Sequence, residues 1–519
     1  MDRASSPSCS VDIRTASLPA IYTATGSSKC SQPSARPAAI PFSIYTAKLF
    51  VYVVSTCVLL FILSQISLLQ SRSAPSPRWP LSLVRQWQKI ILDTTSSDVT
   101  LDSTAAATKA SKVEDVDKRL RDAVTFLPLK DLRFADRPAE GHTWFISSLN
   151  DTSVGGGPQH MRFPSASSKG RVLCLKGRHF HDGSWNSYAL AWPDALPRDA
   201  TFMSGLTFVS YNHYDYGNIW HGLSTVFPFV AWHQGHSCRR PPERWVLYHW
   251  GELRPGMSPW LSKLMEATFG KPPSVEVFDK IKEDGSVCFE DAVVTRHNEG
   301  GMSTERRIEA YGLLRCSVRR YCNVSSEVDG DGNKVNTVRL TLFMRRGGRS
   351  FRNESAVVGI FQRECDKVEG CRLTLAHSDD LSFCDQVKLM SATDVLASPH
   401  GAQLTNIFMM DRNSSVMEFY PKGWLHYAGV GQYVYQWLSS WSGMSHQGAW
   451  RDPVGEDCPY PQDTAKCFDF YKNGLIGHNE THFSEWARKV LVEVKLRKIG
   501  DSVSKRKQDS IEIGGCACN

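Results

Sequence analysis

The sequence predicts an α/β protein of two lobes with a cleft between them, standing behind a single N-terminal transmembrane helix. Two observations carry this expectation. From residue 338 to 420, short apolar runs of strand character alternate with stretches of helical period, and such alternation builds a parallel sheet covered on both faces. Nearer the N-terminus, Leu49 to Leu69 reads LFVYVVSTCVLLFILSQISLL, 21 residues without a charge; as a helix that run would cross about 30 Å of hydrocarbon.

Taken in order, residues 1–46 are rich in Ser, Ala, Thr and Pro and lack the periodic hydrophobicity of a core, so they are expected as a disordered cytosolic tail. Residues 47–70 are the span and signal-anchor, too long and too far into the chain for a cleaved signal peptide. Residues 71–140 are polar, with Pro75, Pro77 and Pro80, and read as a stem carrying a short helix around 112–124. Residues 141–335 form the first lobe, with strands at Val172–Leu175, Trp245–Tyr248 and Ala292–Thr295. Residues 336–500 form the second. Its strands are Val338–Met344, Arg372–Ala376, Asp394–Ser398 and Ser415–Tyr420, and its helices Glu354–Glu364 and Leu381–Ser391. Residues 501–519 are a tail.

Charge flanking the span does not orient it, because Lys29, Arg36 and Lys48 are matched by Arg72, Arg78, Arg85 and Lys89. Glycosylation acceptors do. Asn150, Asn323, Asn353, Asn413 and Asn479 each begin an Asn-x-Ser/Thr triplet, all beyond the span, while no Asn precedes it. The large C-terminal part is therefore expected in the lumen of the secretory pathway. Cysteine usage agrees, since 12 of the 15 Cys lie beyond the span, where an oxidising compartment pairs them. Spacing suggests Cys316 with Cys322, Cys365 with Cys371, and Cys458 with Cys467; Cys516-Ala-Cys518 reads as a tail tied down by disulfides.

Composition excludes one class. The net charge is +7 over 519 residues, and the basic cluster Lys505, Arg506 and Lys507 is a solvated tail rather than a nucleic-acid footprint. Neither a P-loop nor a nucleophilic Ser motif is present, and no pair of acidic residues is placed for glycosidic hydrolysis.

Two segments carry chemistry. In Asp394–Pro421, DVLASPHGAQLTNIFMMDRNSSVMEFYP, a buried strand ends at Ser398-Pro399, His400-Gly401 turns, a helix starts near Ala402 and a second strand ends at Glu418. Such a turn falls at the carboxyl edge of a parallel sheet, where a diphosphate is stabilised by free N–H groups. The second segment, Phe343–Glu354 or FMRRGGRSFRNE, places a strand before a Gly turn lined with arginines able to neutralise that diphosphate. Extending the strand's alternation favours Arg346 and Arg349 over Arg345.

Together these segments resemble glycosyltransferase family 61, through Arg346, Arg349, Asn353, the block His400 to Asn406, Glu418 and Pro421. The resemblance is strong over 338–421 and reaches back to Tyr214. It implies two Rossmann-like lobes of the GT-B type, 141–335 on the acceptor side and 336–500 binding the nucleotide sugar. It also implies inverting transfer from a UDP-sugar, pentose or N-acetylglucosamine, to a glycoprotein glycan or cell-wall polysaccharide. The implied donor contacts are Arg346, Arg349, His400, Gly401, Asn406 and Glu418. A type II protein of the Golgi membrane or endoplasmic reticulum follows, with no cofactor beyond the UDP-sugar and the divalent-metal requirement left open.

Two departures from the family stand out. Gln403 replaces a frequent Gly, narrowing the room for the donor. In Tyr216–Phe227, YGNIWHGLSTVF, Asn218 and His221 match an Asn-x-x-His motif, but Thr225 stands where many members have Asp, and Thr cannot act as a general base. The base that removes the acceptor proton is then His221, or Glu299 in VTRHNEGGM beside His297. Asp329-Gly-Asp331 reads as a surface turn, and His233-x-x-His236-x-Cys238 as a weak zinc pattern; no metal site is assigned. The competing reading, prompted by Thr225, is an inactive membrane-tethered carbohydrate-binding protein that keeps the transferase fold.

Overall fold

The computed structural model describes residues 103–129, 156–212, 215–282, 284–296, 302–324, 337–505 and Cys516. The chain divides into Met1–Leu101 and Asp102–Asn519, and every described residue belongs to the second unit. The cytosolic tail, the span 47–70, Asn150, His297, Glu299, Asp329 and Asp331 lie outside the described residues. Among those described, no helix is long and apolar enough to cross a membrane.

The fold is mixed α/β with two sheets. The first has eight strands: β1 (Leu127–Pro128), β2 (Met161–Phe163), β3 (Val172–Lys176), β4 (Ser187–Ala191), β5 (Thr201–Asn212), β6 (Arg244–His249), β7 (Glu252–Leu253) and β8 (Ser286–Arg296). They lie in the order β1-β4-β3-β8-β5-β6-β7, with β2 also on β8. Only β8, β5 and β6 run parallel. Helices α2 (Ile219–Gly235) and α3 (Pro259–Phe269) make the crossovers between them, and α4 (Thr304–Tyr321) follows β8. Each helix starts on a side chain that accepts an otherwise unpaired N–H: Asn218, Ser258 and Ser303. Pro259 opens α3 and left-handed Gly270, φ 77°, closes it.

The helix expected near 112–124 is α1 (Ser103–Asp122), and it does not belong to a free stem. Arg121 donates to the carbonyls of Asp194 and Leu196, β1 pairs with β4, and Leu129 is fully buried. Residues 121–129 are thus attached to the first sheet by the Arg121 hydrogen bonds, the β1–β4 pairing and the buried Leu129, while Leu127 and Pro128 stay exposed.

The second sheet is wholly parallel. It contains β9 (Val338–Met344), β10 (Cys371–His377), β11 (Val395–Pro399), β12 (Ser415–Tyr420) and β13 (Ser445–Arg451), in the order β10-β9-β11-β12-β13. The central strands β11 and β12 are buried at every residue, which accounts for their nearly unbroken apolar sequence. One face packs α5 (Glu354–Asp366) and α10 (Glu480–Lys505), with Phe351, Phe361, Phe419 and Phe483 in mutual contact. The other face shares one core with the first sheet. There, α2, α3, α4 and the 3-10 segment Ala402–Met409 lie between Leu247 and Val293 of one sheet and Phe343, Leu396 and Val416 of the other. Also on this side are α6 (Phe383–Ser391) and α8 (Val434–Trp441); α7 (Trp424–Tyr427) follows β12 and α9 (Thr464–Lys472) follows β13.

Cys365–Cys371 and Cys458–Cys467 pair as spacing suggests, and Cys174–Cys288 joins β3 to β8. Cys316 and Cys322 do not pair with each other: the bonds are Cys316–Cys516 and Cys322–Cys384. Along α4, six residues advance about 9 Å and turn the side chains to different faces, beyond the Cα separation a disulfide bridges. Loop-closure entropy ranks the bonds. Opening Cys322–Cys384, which spans 62 residues, should cost about 4 kcal/mol, against about 2 kcal/mol for the short Cys365–Cys371 loop. Thermal melts of the two Cys-to-Ser pairs check that order.

Candidate active site

The carboxyl edge of the second sheet gathers the ends of β9, β11 and β12 at one place. After β9 the chain turns through Gly347 (φ 73°) and Arg349 (φ 63°), the latter a non-glycine residue in the left-handed region, where its N–H donates to Gly474 O at 2.9 Å. Such strain persists only where the surroundings impose it. It aims the Arg349 guanidinium over the Trp424 ring, 5.2 Å from the centroid. Arg345 leaves the end of β9 on the same side and donates through Nη1 to His400 O at 3.3 Å.

Neither arginine has an ion-pair partner among the described residues, and the Nε–H of each is buried without an acceptor there, as is Trp424 Nε1. Burial pushes both guanidiniums below their ordinary range, Arg349 to about 10, with the like charge of Arg345 adding to the effect. Two cations and orphaned donors close to one another make a site suited to an anion.

His400 supplies the third wall. It is 6% exposed, stacked on Tyr420 at 4.8 Å and near Tyr435 at 5.2 Å. Its Nδ1 meets Glu418 Oε1 at 2.6 Å, and His446 Nε2 meets Glu418 Oε2 at 2.9 Å. Burial raises the Glu418 carboxyl, but the hydrogen bonds and charges of the two histidines outweigh it and hold it below its ordinary value. An ionised Glu418 fixes the His400 ring with Nδ1 as donor and leaves Nε2 to meet a ligand. Gly401 leaves room beside it for Arg345 Nη1 and the Gln403 side-chain oxygen, which a Cβ there would displace.

Several expectations change on these contacts. Arg346 is exposed and held by Asp380 through two bonds of 2.7 Å, so Arg345 is the side chain at His400. Alternation does not extend past Met344, where the strand gives way to the turn. Asn406 is fully buried: its oxygen accepts from Trp260 Nε1 at 3.0 Å and its nitrogen donates to Gln386 and to Gln403 O. It ties α3 to the 402–409 segment rather than facing the cleft. Gln403 braces the turn, its amide nitrogen donating to Pro399 O at 2.6 Å while its oxygen accepts from Arg345 Nη1 at 3.4 Å.

His221 lies half-buried in the first turn of α2, which reaches the site through Trp220 against the Tyr435 ring at 5.6 Å. Thr225 is buried and donates to His221 O at 2.7 Å. His233 is buried and Cys238 is disulfide-bonded, which removes the thiolate that the zinc pattern needs. Asn323, Asn353, Asn413 and Asn479 are all exposed.

Residues that sequence patterns did not single out hold the site from behind. Arg315 of α4, 7% exposed, donates to Phe408 O at 2.9 Å and Ser442 O at 2.7 Å, and Arg319 to Met409 O at 2.7 Å. These cations satisfy the carbonyl end of the 3-10 segment whose start bears His400. Replacing Arg315 with Ala leaves both carbonyls unpaired and should lower stability by about 2–5 kcal/mol, measurable by denaturant titration.

Residues 219–417 match the family model described as Glycosyltransferase 61. Through this region the chain is similar to glycosyltransferase family 61. No curated protein matches the chain. The family 61 region opens on the first turn of α2 and closes within β12, so it contains His221, Arg345, Arg349 and His400, and Glu418 follows its last residue. The family supports a glycosyltransferase, with a sugar donor and a glycan acceptor.

Proposed function

We propose that the protein is an inverting transferase of the GT-B type that moves a sugar, a pentose or N-acetylglucosamine, from a UDP-sugar to a glycoprotein glycan or cell-wall polysaccharide. The observation that carries this reading is the pair of half-buried arginines, Arg345 and Arg349, their Nε atoms buried and neither with an ion-pair partner among the described residues, beside His400 at the carboxyl edge of a parallel sheet. A leaving UDP develops negative charge on its β-phosphate, and donors already in place stabilise that charge without reorganising. The acceptor hydroxyl must lose a proton on the opposite side of the sugar. His221 and Glu299 are the bases offered for that step, and Thr225 is not one. We place the domain in the lumen of the Golgi or endoplasmic reticulum behind the anchor at 47–70, which agrees with the exposed acceptor asparagines and the disulfides.

A panel of UDP-sugars tested for protection of the detergent-solubilised chain against heat addresses this directly. The donor at 100 times its Kd should add about 2.7 kcal/mol. Protection by no uridine nucleotide would remove the donor-site reading. Protection without transfer or donor hydrolysis would favour the inactive carbohydrate-binding protein.

A further inference from the structure

At the far end of α2 from the transfer site lies a second cavity, of about 470 Å³. The helix separates the two by about 25 Å, at 1.5 Å per residue. Its walls include Arg162, Arg239, Arg240, Trp232, His236 and Asp291. The one carboxylate among these is engaged, since Arg162 grips Asp291 through two bonds of 3.0 Å. Arg239 and Arg240 are exposed and have no ion-pair partner among the described residues, which leaves the cavity with two uncompensated cations.

Two further features make this a built site rather than a basic patch. Trp232 is 6% exposed, yet its indole N–H has no acceptor among the described residues; a buried donor without a partner is uncommon unless a ligand supplies one. The His236 ring stacks on the indole at 4.1 Å, and its Nδ1 lies 2.7 Å from Trp232 O. The loop that presents the arginines is also constrained, with Ser237 and Cys238 both in the left-handed region at φ 57° and 50° and Cys238 in a disulfide.

We propose that this cavity binds an anionic sugar unit, bearing a sulfate or a uronate carboxylate, at a site separate from the one where transfer occurs. The volume falls within the range of small-molecule sites and far exceeds a bare ion. The arginines supply forked donors for sulfate or carboxylate, and the indole N–H a single donor for a ring hydroxyl. The inference concerns binding alone and stands or falls apart from the transfer reaction.

The full-length protein in detergent would be titrated calorimetrically with four probes: a sulfated disaccharide without uronate, an unsulfated uronate disaccharide, a neutral disaccharide and inorganic sulfate. At least one acidic disaccharide should bind at least about 10-fold more tightly than the neutral one, weakening as salt is raised. Arg239→Ala with Arg240→Ala, both at exposed positions, should remove that preference while the melting temperature and UDP binding stay unchanged. Trp232→Phe should weaken every disaccharide that binds. Equal binding of neutral and acidic disaccharides overturns the proposal, as does inorganic sulfate matching the acidic disaccharides. Retention of the preference in the double variant overturns it as well.

Discussion

On the proposed reaction, alanine at Arg349 or at His400 should lower the turnover of sugar transfer by roughly 100-fold or more, because each donor would act on charge that appears only as UDP departs. Arg345→Ala should fall in the same range. Arg346→Ala should not, since its guanidinium is already neutralised by Asp380 outside the site. Arg349→Lys keeps the charge but loses the planar fork, and should recover only part of the rate. Steady-state kinetics on the four alanine variants, with melting curves to confirm folding, check this ranking. Normal turnover in both Arg349→Ala and His400→Ala would show that the leaving group is stabilised elsewhere.

Glu418→Ala should be the most destabilising single change around the site, by about 3–5 kcal/mol, because it leaves His400 and His446 buried without their shared acceptor. The same carboxylate predicts a pH dependence. Its folded-state pKa is held below the ordinary 4.5, so the unfolded chain binds more protons as pH falls below that value. Its contribution is fully present above about 4.5 and is lost as pH falls through the lower folded value. Wild-type stability should therefore drop below pH 4.5 more steeply than that of Glu418→Gln, which cannot titrate. Denaturant midpoints between pH 3 and 6 test the slope, and parallel curves would remove the linkage.

The second sheet was legible because a parallel sheet buries both faces, so β9, β11 and β12 each read as an apolar run ending in a turn. The first sheet was less so: only three of its strands run parallel, and the short β1, β2 and β7 carry too few residues to show a period. Within the site, His400 and Arg349 follow strand ends and Glu418 lies near the end of β12, so all three could be found by position. Arg345 could not, because the rule of alternation fails where the backbone leaves the strand. Trp260 and Arg315 act on the 402–409 segment from more than ninety residues away, a distance over which no local pattern informs. His446 had no signal beyond being a histidine on an edge strand.

The disulfide connectivity also sets an order of events during synthesis. Cys322 reaches its mate once 62 further residues have been made, whereas Cys316 waits for 200. At a translation rate of 5–20 residues per second, that wait lasts about 10–40 s. Throughout it, Cys316 is without its mate and only six positions from another cysteine, so a nascent chain is exposed to mispairing until Cys516 has been made. Helix α4 limits that hazard if it forms early, since its geometry keeps the two sulfurs apart. In the luminal placement proposed above, the demand for disulfide isomerase would peak between synthesis of residues 322 and 516.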